Sequence, residues 1–549
     1  MIPQTIRSLS APRLLTAFLL FSICFPHYAT AKESAPLPSG PALYTDNPAN
    51  IDYRDITGLS RFARMAYRNR WLGIDVRDVL VEFSRFKTSG SSPALRDAWH
   101  DMMLSDFDGL EIDHAQQQTD LMTARLHVLN KLGYFDEAVR LYQLAATKKP
   151  VASSLALEGV NALALSGSAD GACLEISMAS KYLVSDEWKQ NEALCSVYFG
   201  DEARGDELYN EVSENAGSGF RTVYKLLKKK GGKAIQANIP PLWRTLLLAQ
   251  GATLPSASLK SADAETLASI ASNPRVSVSM RLAAATRAAN LGTVGSDRMR
   301  GLYEMQYPED NGLQGIIATA TAGGDQPHSA YYAAARFTFE GNARATIVKN
   351  GMHKVSPITG IRNHTYNWIV DKLTLQVNKL GWFAPQGYSL MTLTNRTASA
   401  NMYYDVGNLG NTRFALIHAL VTGEPWAAES RAAWEQGMQQ YYKSKADSKV
   451  NDFMALANAY DLEEKLQLNG PPKKQQDLSV KRSSSLYEST RAGGKGLTLA
   501  AALNLLGQQP KLSSVQTPEF IDIIDVMTKQ GLFVERKKIT LEFLIQNML

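Results

Sequence analysis

Residues 121–150 read LMTARLHVLNKLGYFDEAVRLYQLAATKKP, and this pattern sets the architecture expected for the whole chain. Apolar residues after Gly133 recur at three-to-four spacing, which is typical of an amphipathic helix. Gly133 has no Cβ, so it can adopt the positive φ that ends a preceding helix sharply. Pro150 cannot continue the second helix and favours an extended conformation for Lys149. The stretch therefore predicts a helix, a tight turn and a second helix.

This helical hairpin resembles a tetratricopeptide repeat. The resemblance is carried by the turn glycine, two small packing residues, the aromatic between them and the terminating proline: Gly133, Ala138, Ala145, Tyr142 and Pro150. The first helix departs from the family pattern at three positions: Met122, Arg125 and Leu126. The resemblance implies a surface on which helix pairs stack, and it implies no reaction centre. An ordinary antiparallel helical hairpin is the alternative interpretation.

Weaker copies of the same pattern follow along the chain. Gly200 precedes Tyr209 by nine residues, the same step as from Gly133 to Tyr142. The pair Leu302-Tyr303 repeats Leu141-Tyr142, although the spacing between copies drifts. Self-similar helix pairs that bury their apolar faces against each other build a solenoid. The predicted fold is an all-α solenoid of degenerate helix-turn-helix repeats, similar to tetratricopeptide repeats, with a small C-terminal helical cap.

Residues 1–31 have the pattern of a secretory signal peptide. Arg7 and Arg13 precede the apolar run LLTAFLLFSICF at 14–25, and Ala29-Thr30-Ala31 supplies a small-residue cleavage site. The apolar run has 12 residues, whereas a spanning helix needs about 20. An uncleaved membrane anchor is the alternative. Cleavage after Ala31 is predicted, giving an exported protein that is periplasmic or, alternatively, secreted, with no transmembrane segment in the mature chain.

Charge and cysteine content narrow the possible partners and the compartment. The 549-residue chain has a formal charge of +5, and loss of Arg7 and Arg13 with the signal peptide lowers it to +3. So small a charge does not favour nucleic acid as a partner. Cleavage also leaves two cysteines, Cys173 and Cys195. In an exported protein they predict one structural disulfide between adjacent helices, and two buried thiols are the alternative.

Composition shifts suggest how the rest of the chain is organised. Residues 32–50 are rich in Pro, Ser and Gly, and residues 468–484 are polar and basic. The predicted parts are a linker at 32–55, N-terminal repeats at 56–235, a central helical repeat region at 236–467, a basic linker at 468–484 and the helical cap at 485–549. The pattern at 354–406 predicts no clear element.

Two charged segments raise the question of a ligand. Residues 106–114 contain four acids and His114, but they lack the spacing of a calcium-binding loop. A solvated loop that caps the next helix is predicted there, with a metal site as the alternative. Five lysines lie between residues 225 and 233, on both sides of Gly231 and Gly232. We interpret this lysine cluster as a solvated helix end favoured by the helix dipole, and an anionic partner is the alternative.

Motifs for catalysis are missing from the sequence. It contains no i, i+4 histidine pair, no Gly-x-Ser-x-Gly, no phosphate-binding loop and no Cys-x-x-Cys. Exported helical-repeat proteins include the superhelical arm of soluble lytic transglycosylases, and Glu488-Ser489 followed by Gly496-Leu497 is distantly similar to the catalytic motif of that family. The spacing is too short, however, and the Met-Gln that completes the motif is absent.

The sequence therefore predicts no catalytic, cofactor-binding or metal-binding residue. It favours an exported, non-enzymatic helical-repeat scaffold or adaptor for a protein partner or a cell-envelope component. The alternatives are a peptidoglycan-associated enzyme or its accessory factor, and a secreted effector that binds host proteins.

Overall fold

The computed structural model describes residues 44–45, 51–58, 69–86, 92–148, 150–229, 232–307, 313–324, 327–338, 343, 346–347, 350, 486, 494–509 and 511–548. All of them belong to one compact unit, Leu43–Leu549. The predicted signal peptide, the basic linker, the segment 354–406 and the Glu488-Ser489 pair lie outside the described residues.

The described chain is mostly helical, which agrees with the predicted all-α class. Its first nine α-helices are α1 (Val76–Ser84), α2 (Pro93–Leu104), α3 (Ala115–Lys131), α4 (Phe135–Ala146), α5 (Ser153–Leu165), α6 (Ala169–Ala179), α7 (Asp186–Phe199), α8 (Glu202–Val212) and α9 (Ser218–Lys228).

Nine further α-helices follow in the described residues. They are α10 (Pro241–Ala249), α11 (Ala264–Ser272), α12 (Val278–Asn290), α13 (Ser296–Gln306), α14 (Gln314–Thr321), α15 (His328–Phe337), α16 (Lys495–Leu506), α17 (Thr517–Lys529) and α18 (Phe533–Met548). Short 3-10 helices span Ser256–Lys260 and Leu512–Ser514. In this part of the chain no helix has both the length and the apolar character that crossing a membrane requires.

Two pairs of very short parallel strands tie loops together between the helices. β1 (Tyr44–Thr45) pairs with β4 (Val151–Ala152), and β2 (Ile74–Asp75) pairs with β3 (Leu110–Glu111). β1 lies in the segment predicted as a linker, so part of that segment is anchored beside the start of α5.

Helices α3 to α9 pack in an order that follows the chain. Each helix from α3 to α8 contacts the next, α3 also contacts α5, and α9 contacts α7. Small residues permit these close approaches. A Cβ on Gly159 in α5 would lie 2.5 Å from the Tyr142 ring, so only glycine fits there without displacement of the ring.

A second group of helices returns over this stack. Helix α10 contacts α5, α6 and α7, and α11 contacts α3 and α5. The Thr245 hydroxyl of α10 donates to the Ala164 carbonyl of α5 at 2.8 Å, and Lys131 forms an ion pair with Glu265 of α11. Helices that are far apart in sequence therefore share one interface.

The last helices pack on the first ones. Helix α16 contacts α1 and α2, and α18 contacts α2. Arg70 and Glu535 form an ion pair at 2.8 Å with side-chain exposures of 11% and 6%. The Asn504 side-chain amide of α16 donates to the Glu82 carbonyl of α1 at 2.8 Å. Both ends of the described chain thus contribute to a single hydrophobic core.

Candidate functional site: a charged cleft at the Gly133 turn

The turn predicted at Gly133 joins α3 to α4 and lies against a distant loop. Gly133 has φ of +81°, and α4 begins two residues later, at Phe135. A Cβ at Gly133 would lie 2.2 Å from the carbonyl oxygen of Thr293. Glycine is therefore required twice over, by its backbone conformation and by the approach of the loop after α12.

The other residues that carry the repeat resemblance lie in the second helix or just after it. Ala138 and Ala145 are fully buried, and Tyr142 is 2% exposed with its ring against Gly159. The Tyr142 hydroxyl contacts the Glu175 carboxylate of α6. Helix α4 ends at Ala146, before Pro150. Tyr142 is therefore held between its own helix and the next helix pair. That the hairpin is one unit of a repeat stays a prediction.

A cleft of about 690 Å³ opens beside the Gly133 turn. Its walls come from six parts of the chain: α2, the turn with the start of α4, the end of α11, α12, the loop with α13, and Lys538 of α18. The returning helices and the last helix are therefore needed to form it. Charged and polar side chains make up much of the lining.

Arg96 and Tyr134 form the most ordered part of the cleft wall. The Arg96 Nε donates to the Tyr134 hydroxyl at 3.0 Å, and Nη1 donates to the Gly292 carbonyl at 3.4 Å. The Arg96 guanidinium lies 4.9 Å from the centre of the Tyr134 ring, and the Tyr134 hydroxyl donates to Asp97 at 3.4 Å. Burial raises the pKa of Tyr134, so its hydroxyl stays protonated and can donate.

His100 extends this wall from the same helix as Arg96. Its ring centroid lies 4.0 Å from that of Tyr134, and its Nδ1 lies 3.2 Å from the Asp101 carboxylate. The one serine of the lining, Ser272, donates its hydroxyl to the Ala268 carbonyl of its own helix at 2.9 Å. The serine proton is therefore donated to a carbonyl oxygen within α11 and not to His100.

The opposite wall carries two arginines, of which Arg298 has an acidic partner and Arg281 has none among the described residues. Arg281 is 6% exposed, its Nε donates to the Ala271 carbonyl at 3.1 Å, and its Nη1 lies 3.5 Å from the Met305 sulfur. Arg298 pairs with Asp136 at 3.0 Å. Burial, and secondarily the charge of Arg298, lower the pKa of Arg281.

The predicted disulfide joins two neighbouring helices away from the cleft. Cys173 of α6 and Cys195 of α7 lie at disulfide distance, with their Cα atoms 5.3 Å apart. Both side chains are buried. The geometry agrees with the expectation that a helical hairpin brings these two cysteines together.

The two charged segments of the sequence are engaged in local contacts. Lys228 lies 2.8 Å from Asp206, within the lysine cluster at the end of α9. In the acidic segment, His114 is the N-cap of α3, and Asp113 lies 3.8 Å from Arg77. Within the described ranges, no three His, Cys, Asp or Glu side chains are arranged to hold a metal ion.

Sequence reasoning singled out the turn beside the cleft but not the cleft itself. Arg96, Arg281, Arg298 and Lys538 are spread over more than four hundred residues, so no local spacing connects them. No protein-family model matches the chain, and no curated protein or solved structure is significantly similar to it. Similarity to known proteins therefore offers no independent guide to the role of the cleft.

Proposed function

We propose that the chain is an exported, non-enzymatic helical-repeat scaffold or adaptor that holds a protein or cell-envelope partner at the cleft beside Gly133. The supporting observation is the cleft itself, in which six segments of the chain converge. Its volume of about 690 Å³ falls within the range of typical ligand sites, about 300–1,000 Å³. Convergent polar groups of fixed position are the features by which such sites select their ligands.

The stacking of α3 to α9 supports the solenoid part of this proposal. Neighbouring helices pack in sequence order, as they do in repeat proteins. In this proposal the returning helices and α18 close one edge of the stack, and that closure produces a cleft where a simple stack presents an open groove.

Export is proposed from residues 1–31 and agrees with the cysteine pair, because structural disulfides persist mainly outside the reducing cytosol. We expect the mature protein to start at Lys32 and to fractionate with soluble periplasmic or secreted material. N-terminal sequencing of the isolated protein tests this. An intact Met1 on protein recovered from membranes contradicts export by cleavage.

Two glycines provide a matched test of partner binding at the cleft. Gly301 lines the cleft on α13, and Gly315 lies outside it on α14; a Cβ at either position meets no atom within 4 Å. A side chain can therefore begin at either position without a clash of its Cβ, but only at Gly301 does it start from the wall of the cleft. We expect crosslinking pull-downs from the native envelope to lose the partner with Gly301→Tyr and to keep it with Gly315→Tyr.

The outcomes separate the parts of the proposal. Equal capture by the wild type and both variants places the partner elsewhere on the chain and contradicts the cleft as its site. Zymography of the purified protein on cell-wall substrate tests the non-enzymatic part. Clearing of that substrate supports a peptidoglycan-cleaving enzyme and overturns the scaffold.

A further inference from the structure

We propose that the cleft binds an oxyanion, the carboxylate or phosphate group of a small ligand or of a ligand side group, between Arg281 and Arg298. This inference deepens the proposed binding role and rests on the cleft being a binding site, but it does not depend on which partner is captured there.

Arg281 supplies the first observation. Arg281 as a whole residue is only 6% exposed, and an arginine so placed ordinarily has an acidic partner, because removing a charge from water is costly unless it is paired. Arg281 has instead a backbone carbonyl and a thioether, and its Nη2 has no hydrogen-bond partner among the described residues. This cation lines the cleft wall. An oxyanion in the cleft would supply the missing countercharge.

The second observation is the neighbouring cation. Arg298 also lines the cleft, and its charge disfavours the protonated form of Arg281. The carboxylate that pairs with Arg298 belongs to Asp136, whose side chain is 64% exposed. Two cations that repel each other on one wall of a cleft are stabilised by an anion bound between them. Because the ion pair between Arg298 and Asp136 is exposed to solvent, Arg298 can turn one N–H donor from Asp136 to such a ligand at little cost in free energy.

The acids of the cleft do not provide this countercharge to Arg281. Asp97 accepts from Tyr134 and lies 3.8 Å from Arg96, Asp101 contacts His100, and Glu137 lies 3.4 Å from Arg140. Lys538 adds a further cation at the cleft, and it has no ion pair with a described residue. The positive charge left over is thus concentrated on the wall made by α12, α13 and α18.

The chemistry of the donors defines the class of ligand. A guanidinium is a planar fork that matches the two oxygens of a carboxylate or phosphate. The bond from the Arg281 Nε to the Ala271 carbonyl fixes the guanidinium before a ligand arrives. Such preorganisation lowers the ordering cost of binding. Met305, which is 53% exposed beside this arginine, leaves an apolar edge for the body of the ligand.

The test measures binding of two simple probes to the purified protein, inorganic phosphate and succinate. Each is titrated in thermal unfolding and in calorimetry at an ionic strength held constant with NaCl. We expect at least one probe to raise Tm above the NaCl reference. We expect Arg281→Gln to weaken that binding by about tenfold or more, the loss of one charge-assisted contact, and Arg281→Lys to recover part of it. The probe that binds more tightly identifies the oxyanion as phosphate or carboxylate.

Arg287→Gln is the matched control, because Arg287 lies on the same helix but donates to the Lys260 carbonyl outside the cleft. Arg298→Gln tests the same site if Arg281→Gln does not fold. The proposal is overturned if neither probe stabilises the wild type beyond NaCl, or if the cleft variants bind the probe as tightly as Arg287→Gln. If a probe binds through Arg281 while Gly301→Tyr still captures the partner, the oxyanion site stands and the partner site does not.

Discussion

Buried arginines hold the ends of helices and loops together in this protein. Arg125 of α3 is fully buried, and its guanidinium donates to the carbonyls of Met103, Ile56 and Ser105, each at 2.9 Å. It also lies 4.7 Å from the centre of the Phe107 ring. Burial lowers the pKa of Arg125 to about 9, which still leaves it charged at neutral pH. One side chain therefore satisfies two carbonyls at the C-terminal end of α2 and one in the loop at Ile56.

We expect Arg125→Met to destabilise the fold by about 3 kcal/mol or more. Methionine fills a similar space but donates no hydrogen bond, and each buried carbonyl left without a donor costs roughly 1 kcal/mol or more. Chemical denaturation of the purified protein measures the change. Arg140→Met is the control, because that side chain is 69% exposed, and it should change stability by less than about 0.5 kcal/mol. Equal effects of the two variants contradict a structural role for Arg125.

Ala138 tests the packing of the predicted repeat. It is fully buried where α4 meets its neighbours, so Ala138→Arg should cost at least about 1–3 kcal/mol from overpacking, besides burying a charge. Glu137, 28% exposed and paired with the surface residue Arg140, should tolerate Glu137→Ala within about 0.5 kcal/mol. Thermal unfolding of both variants decides the assignment. A larger loss for Glu137→Ala means that the helix faces are assigned backwards.

Gly133, Ala138 and Arg125 show which features of single residues the sequence could predict. The conformation of Gly133 and the burial of Ala138 follow from local spacing, because turn geometry and helix period are encoded in neighbouring residues. Arg125 was recognisable only as a departure from the repeat pattern. Its role depends on Ile56, 69 residues away, and no sequence period reports such a contact.

At the scale of elements, helix boundaries were predictable where strong signals mark them. Helices α2 and α10 each open with a proline, which is favoured in the first turn of a helix. The described part of the segment 485–549, predicted as a helical cap, contains α16, α17 and α18, and the last two are separated at Gly531, which has φ of +71°. The two-residue strands were not predicted, because so short a pairing leaves no alternating pattern.

The cysteine pair gives the prediction at this scale. Cys173 and Cys195 join α6 to α7 and close a loop of 22 residues. We expect free-thiol labelling of the unreduced, denatured protein to find neither cysteine free, and labelling after reduction to find both. The double change to serine should lower the free energy of unfolding by roughly 3 kcal/mol in the chain-entropy description. Two labelled thiols before reduction contradict the disulfide and favour a pair of buried thiols.

At the scale of the whole molecule, side-chain contacts join the first and last parts of the described chain. Arg70 pairs with Glu535, and Asn504 donates to Glu82, across separations of 465 and 422 residues. Hydrophobic periodicity shows which face of a helix is buried, but it does not show which helix covers that face. The all-α class could therefore be predicted, whereas the return of α16 to α18 and the cleft that it completes could not.

Glu542 of α18 is one of the groups that fasten the last helix to α2. Its Oε2 accepts from the Ser92 hydroxyl at 3.0 Å and from the Ala94 backbone N–H at 2.8 Å, at the N-terminus of α2. Burial raises the pKa of Glu542 to about 8, although these two hydrogen bonds oppose the shift and the charge of Asp97 adds to it. The folded state therefore favours the protonated acid, while the unfolded chain ionises near the ordinary pKa of about 4.3.

This shift predicts a fall in stability as the pH rises from about 4.5 to about 8. In that window the folded state retains a proton that the unfolded state has lost, so Glu542 lowers the free energy of unfolding by at most about 1.4 kcal/mol per pH unit. We expect Glu542→Gln, whose amide oxygen can still accept from Ser92 and Ala94, to remove this component. The difference in Tm between the variant and the wild type should then grow in favour of the variant between pH 5 and pH 8. Glu519→Gln, at an exposed position of α17, should show no such trend. A variant that loses stability relative to the wild type as the pH rises would mean that Glu542 is ionised, and that its bonds to the start of α2 outweigh the cost of burying its charge.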